Sequence, residues 1–251
     1  APSTDATDDP ANNHLFAAAP NASGGTTLEL SLAPLALAAA PSVPATLLQT
    51  ILTSAFTPPS PDPSGVELLG PNGPLLISDG EVEETVSGIT LYRGVNLWEV
   101  NLNGTVASTS DTTFFSNEPT GVAVNPANGH VFISDDDGFA VYEVTPGGDG
   151  KVGPGDTVRK INIKNYGSID CEGVAFGGGS LWIAAGDKAE VFRISPGLNG
   201  SFDGGGDDVV SHFDTAALGL TDSEGIAYDS DGGNVYVAGP AQDNVIGHFS
   251  A

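Results

Sequence analysis

Basic residues are nearly missing from this chain. It has 7 Lys and Arg against 32 Asp and Glu, a formal charge of −25 over 251 residues. Nucleic acid is thereby excluded as a partner, because its binding depends on cations that neutralise phosphates. An anionic membrane surface is disfavoured for the same reason. Cysteine is reduced to Cys171, so no disulfide can form within the chain. Cys171 lies between Asp170 and Glu172, whose charges raise a thiol pKa, so it is expected to be a small buried hydrophobe and not a nucleophile. Methionine is absent, so Ala1 is not an unprocessed start. Ala1-Pro2-Ser3 resembles what a cleaved leader leaves, although an artificially shortened chain reads the same. Long apolar runs are missing too. The nearest approach to a membrane span, residues 28–40, is interrupted by Glu29 and Pro34. The expected address is outside the cell or in the periplasm, and the acidic surface suits a marine or halophilic setting.

What the chain has in quantity is turn chemistry, with 34 Gly and 18 Pro, and a repeat. Ser64-Gly65-Val66, Thr120-Gly121-Val122, Glu172-Gly173-Val174 and Glu224-Gly225-Ile226 recur with glycines 56, 52 and 52 residues apart (121−65, 173−121, 225−173). Each is followed by an apolar run (Leu75–Ile77, Val131–Ile133, Leu181–Ile183, Val235–Val237) and then by another (Asn96–Val100, Ala140–Val144, Glu190–Ile194, Asn244–Ile246). A period near fifty with several short strands per unit is the signature of propeller blades. The expected fold is all-β, a β-propeller of about four blades, each of four antiparallel strands.

Residues 1–44 read as an acidic, then Ala/Pro-rich, N-terminal extension, and residues 45–251 as the propeller domain. Leu28, Leu30, Leu32 and Leu35 alternate enough for one added strand. The last repeat lacks a fourth strand, and Thr46–Leu52 holds the position relative to Gly65 that fourth strands hold relative to later glycines. The expectation is that Thr46–Leu52 closes the ring as the outer strand beside Asn244–Phe249, hiding two sheet edges.

Two sets of carboxylates recur with the repeat. Asp62, Glu118, Asp170, Glu172, Asp222 and Glu224 precede the first strand of each unit. Asp79 and Glu81, then Asp135, Asp136 and Asp137, then Asp187, follow the second. Antiparallel pairing brings the end of the second strand beside the start of the first, so both sets are expected at one mouth of the ring. Converging carboxylates repel unless protons or a cation compensate. The expected metal ligands are Asp62, Asp79, Glu81, Glu118, Asp135, Asp137, Asp170, Glu172, Asp187, Asp222 and Glu224, with calcium as the ion. The bland alternative is that they are turn residues capping backbone N–H groups. Gly/Asp loops at residues 146–156 and 199–208 look like peripheral ion loops, but neither has EF-hand spacing. No nucleophile elbow or phosphate cradle is present, and the four histidines do not recur with the repeat.

Glu118-Pro119-Thr120-Gly121-Val122-Ala123-Val124, Asp170-Cys171-Glu172-Gly173-Val174-Ala175 and Asp222-Ser223-Glu224-Gly225-Ile226-Ala227-Tyr228-Asp229, with strand ends of the type Ile133-Ser134-Asp135, resemble blade openings of phytase-like, NHL-repeat and gluconolactonase-like propellers. The resemblance covers residues 46–251 and implies a propeller, calcium in or near its channel, and in some members secreted hydrolysis of phosphoesters or lactones. The seven basic residues are scattered, unlike a phytase-type phosphate site, and such families usually have more blades than four. The resulting expectation is a secreted, acidic, calcium-binding propeller that acts as a binding or structural module. The alternative is a calcium-dependent hydrolase of an ester, lactone or phosphoester at the acidic mouth. A protein partner docking through the N-terminal extension is a further expectation.

Overall fold

The computed structural model describes residues 47–80, 94–216 and 220–239 in full, and the backbone alone of the strands outside those ranges. Strands β1 (Asp5–Asp9), β2 (His14–Ala19), β3 (Thr26–Leu32) and β4 (Ala45–Leu52) form a first sheet in that order. The second sheet opens with β5 (Pro63–Leu68) and β6 (Leu75–Asp79). A short pair, β7 (Thr85–Val86) and β8 (Ile89–Thr90), precedes its outer strands β9 (Leu97–Val100) and β10 (Val106–Ser110). The third sheet is β11 (Pro119–Val124), β12 (Val131–Asp135), β13 (Ala140–Thr145) and β14 (Thr157–Asn162). The fourth is β15 (Val174–Gly177), β16 (Ser180–Ala185), β17 (Glu190–Ser195) and β18 (Val209–Asp214). The last is β19 (Gly225–Asp229), β20 (Asn234–Ala238) and β21 (Ile246–Ser250). All pairings are antiparallel, and the four repeats become four sheets as their period predicts.

Burial follows position in the sheet. Every residue of β6, β12 and β16 is buried, because these strands are covered on both faces by neighbouring sheets. The outer strands β14 and β18 are mostly exposed. Alternate residues of one strand serve different neighbours. Ile133 packs with Leu76 and Leu97 of the second sheet, whereas Phe132 packs with Val174, Leu181 and Phe202 toward the fourth. The core is therefore a series of apolar layers between consecutive sheets, as period-2 alternation dictates. Tight hairpins support this: Gly129 at φ 74° turns β11 into β12.

The repeat glycines have a steric cause. A Cβ on Gly65 would stand 2.9 Å from Gly121 Cα, one on Gly121 2.9 Å from Val174 N, and one on Gly173 2.5 Å from Glu224 O. These are the points where neighbouring inner strands approach most closely, and no side chain fits. Hydroxyls stitch the same level: Thr120 Oγ1 donates to the Glu172 carbonyl at 2.9 Å, and Ser134 Oγ donates to it as well.

One expectation is corrected. Thr46–Leu52 does not pair with the C-terminal strand. As part of β4 it pairs with β3, from Thr26 opposite Leu52 to Leu32 opposite Ala45. The alternating leucines at 28, 30 and 32 make residues 26–32 a strand close in sequence, and adjacent strands pair preferentially. Ile51 accordingly packs onto Val66, Ile77 and Trp98 of the second sheet. The ring closes through β1, which lies against both β5 and β19, while β5, β11, β15 and β19 contact one another in turn.

Cys171 is fully buried beside Ala123, Phe132 and Val174, and burial pushes its thiol well above its usual value. We expect it to resist thiol reagents in the native protein and to react at the rate of unfolding. Rapid labelling by a disulfide reagent without denaturant would contradict its place in the core.

Candidate metal site at the acidic mouth

The carboxylates of the two recurring sets separate into different roles. After the second strands, Asp79 is fully buried and accepts from Ser60 Oγ at 2.6 Å and from the Asp62 N–H at 3.0 Å. Asp187 accepts from Ser168 Oγ at 2.6 Å, again across 19 residues, as Ser60 and Asp79 are. Asp135 is buried at 3% exposure, with Ser116 at the equivalent place beside it, and accepts from the Gly138 N–H. Burial pushes its pKa up. These three tie the loop before each first strand to the end of the second. Glu118 Oε2 accepts from the N–H of exposed Asp137 at 3.1 Å. Glu81 lies outside the described residues.

Four of the other set, Asp170, Glu172, Asp222 and Glu224, gather with Asp136. Oxygens of Asp136, Asp170 and Glu172 lie within 4.8 Å of one another. Asp222 joins them across Gly186, where a Cβ would stand 2.6 Å from Asp222 Oδ1 and 2.8 Å from Asp170 Oδ2. Glu224 is 4% exposed, and its Oε2 is buried without a hydrogen-bond partner. Elsewhere Asp136 is anchored by the Cys171 N–H, which donates to its Oδ1 at 3.3 Å.

The electrostatic consequence is mutual. Burial first, then Glu224, Asp170 and Asp136, push Glu172 up to about 9. Burial and Asp222 push Glu224 up to about 7, and burial and Asp170 push Asp136 up to about 6. Without a cation the cluster retains protons near neutrality. Three donor oxygens within 4.8 Å of one another lie no more than about 2.8 Å (4.8/√3) from a common centre, close to the roughly 2.3–2.6 Å that calcium takes.

A pH dependence follows. These carboxyls bind protons more tightly folded than unfolded, where their values are 4.5 for Glu and 3.8 for Asp. Their stabilisation is complete below those values and is lost as pH rises through the folded ones. We expect the melting temperature of the metal-free protein to fall between about pH 4.5 and about pH 9, and Glu172→Gln to flatten the upper part of that fall. A melting temperature rising steadily across this range would contradict the cluster.

The acidic run after β12 was expected to ligate through Asp135 and Asp137, but its middle residue, Asp136, is the one that joins the cluster. Strand β12 ends at Asp135, so the next residue leaves the register, and the sequence has no repeat equivalent to point to it. Gly186 is legible only as a gap between Asp170 and Asp222.

Neither a protein-family model nor a curated protein sequence matches this chain. Solved structures do match, and they are propeller-type proteins. A gluconolactonase from the periplasm of Pseudomonas aeruginosa is 14% identical at TM-score 0.52, covering 100% of this chain and 68% of its own. A protein provisionally assigned as a 6-phosphogluconolactonase from Bacteroides uniformis is 15% identical at TM-score 0.53, covering 98% of this chain, which spans 66% of its length. A chain of the nidogen/laminin complex is 14% identical at TM-score 0.55, covering 98% and 82%. At these identities the likeness establishes the fold, a β-propeller.

Proposed function

We propose that this protein is a secreted or periplasmic β-propeller that binds a divalent cation at its acidic mouth and acts as a binding or structural module. One observation carries the reading: the oxygens of Asp136, Asp170 and Glu172 within 4.8 Å, beside the unpartnered buried Oε2 of Glu224. Asp136, Asp170 and Glu172 would hold the ion, with Asp222 and Glu224 completing an all-oxygen shell. Several carboxylates on separate loops suit the irregular coordination of calcium better than the strict octahedron of magnesium. The periplasmic neighbour and the acidic composition support an address outside the cytoplasm. Calorimetric titration of calcium into chelator-treated protein should give saturable binding that is lost in Asp136→Asn and Glu172→Gln. Absence of saturable heat in the parent protein overturns the reading.

A second reading, hydrolysis of a lactone or ester at the same mouth, is favoured by the gluconolactonase likeness and by carboxyls raised toward neutrality. A bound cation supplies polarisation of a carbonyl oxygen. In this reading Glu224, whose buried Oε2 has no hydrogen-bond partner, would stay off the ion and take a proton from water. Phosphoesters fit less well, given 7 basic residues in the whole chain. Turnover of a lactone and p-nitrophenyl ester panel with and without calcium separates this reading from a pure binding module.

A further inference from the structure

The last sheet is one strand short. The first, second, third and fourth sheets have four strands each, whereas the last has three and ends at β21. Among the described strands, none pairs with the outer edge of β21. Outer strands elsewhere in the ring leave an edge open as well, so the edge alone does not mark a site. The neighbouring sheet does.

Outer strands of consecutive sheets meet across the apolar layer between them. Ile51 of β4 lies in one layer with Val106 of β10, and Ile161 of β14 lies in another with Val210 of β18. Phe213 of β18 packs into the layer that faces the last sheet. The first sheet stands between the second and the last, since β1 contacts both β5 and β19. One face of β4 is accounted for: Ile51 packs on the second sheet, and Gln49 Nε2 donates to the Leu102 carbonyl at 2.5 Å. The other face looks toward the last sheet, where no described strand holds the outer position.

That face is apolar and uncovered. Leu52 follows Ile51 and so points to the opposite side. The pairing of β3 with β4 slips by one residue between Glu29 and Leu30, which stand opposite Gln49 and Leu47. The extra residue, Leu48, puts Leu47 on the side of Leu52. Leu47, Leu48 and Leu52 are 57%, 48% and 58% exposed. Three large apolar side chains on one outer strand mark a surface that a neighbour covers.

Charge selects the neighbour. The chain has no Asp, Glu, Lys or Arg from Leu30 to Pro61, within a total of −25. A second copy would bring another −25 to the contact and is repelled. A basic segment is attracted, and apolar side chains on one of its faces cover the leucines. Strand β14 shows that an outer strand takes this pattern: Val158 and Ile161 pack into the layers, while Arg159 and Lys160 are exposed.

We propose that the last sheet takes its fourth strand from a partner polypeptide, an extended basic segment with apolar side chains at every second position. It pairs with the edge of β21 by strand addition and covers Leu47, Leu48 and Leu52 of β4. The proposal does not rest on the ion at the acidic mouth.

The test uses the full chain and, as probe, a capped peptide that alternates valine with lysine and matches the 8 residues of β4. Calorimetry should show saturable binding, and amide hydrogen exchange should slow in β21. A peptide of the same composition with its valines and lysines in separate blocks should bind more weakly, as should one that alternates valine with glutamate. N-methylation of the valines alone, or of the lysines alone, blocks one edge of the peptide without changing its charge. One of these two forms should lose binding and the other keep it. Leu47→Ser and Leu52→Ser, at exposed side chains, should each weaken binding about tenfold and leave the melting temperature near that of the parent. Absence of saturable binding, equal binding of the blocked or glutamate peptide, binding of both N-methylated forms, or leucine variants of parental affinity would each overturn the proposal. So would slow exchange along the outer edge of β21 without peptide, because a second copy or another segment of this chain would then hold the position.

Discussion

Saturating calcium should raise the melting temperature of the metal-free protein by about 5–10 °C. An ion that binds only the folded state adds about 2.7 kcal/mol at 100 times its dissociation constant. A domain of this size gains roughly 2–4 °C per kcal/mol. The gain arises where Asp136, Asp170 and Glu172 converge on Asp222 and Glu224, a group whose charges have only protons to offset them when no ion is present. Glu172→Gln makes the argument specific. It removes a carboxyl that must take up a proton when the metal-free chain folds at neutral pH, so the metal-free variant should melt above the metal-free parent, and it removes a ligand oxygen, so the calcium increment should shrink to about 2 °C or less. Sodium chloride at matched ionic strength should supply only part of the increment, because screening relieves general repulsion without filling a site. Equal stabilisation by sodium and calcium would reduce these residues to a solvated acidic rim.

Gly173→Ala should lower the melting temperature by roughly 6–12 °C. The new Cβ would meet Glu224 O at 2.5 Å, Ile226 N at 3.0 Å and Gly225 Cα at 3.2 Å. All three are backbone atoms, so no rotamer change relieves the overlap, and β15 must move away from β19. Overpacking of this kind costs about 1–3 kcal/mol, and a clash with backbone belongs at the upper end. The substitution lies between Glu172 and the start of β19, which Glu224 immediately precedes, so calcium affinity should fall together with stability. Gly148→Ala is the control: a Cβ there meets nothing within 4 Å, and its melting temperature should stay within about 1 °C of the parent. A Gly173→Ala protein melting within 2 °C of the parent would mean that the inner strands can separate freely.

The recurrence of Gly65, Gly121, Gly173 and Gly225 was enough to determine the all-β class and the order of strands in each repeat. Those properties are local: a glycine forced by close strand approach, a period-2 apolar run and a turn of Gly and Asn leave their mark within a few residues. Closure of the ring was decided elsewhere. Thr46–Leu52 carries the spacing of an outer strand, but spacing does not say which sheet it joins, and the pairing with Thr26–Leu32 depends on the whole N-terminal segment forming strands. Which carboxylates share a site was likewise a tertiary matter. Asp136 lies one residue past the end of β12, and only the approach of the third, fourth and last sheets brings it to Asp170, Glu172 and Glu224.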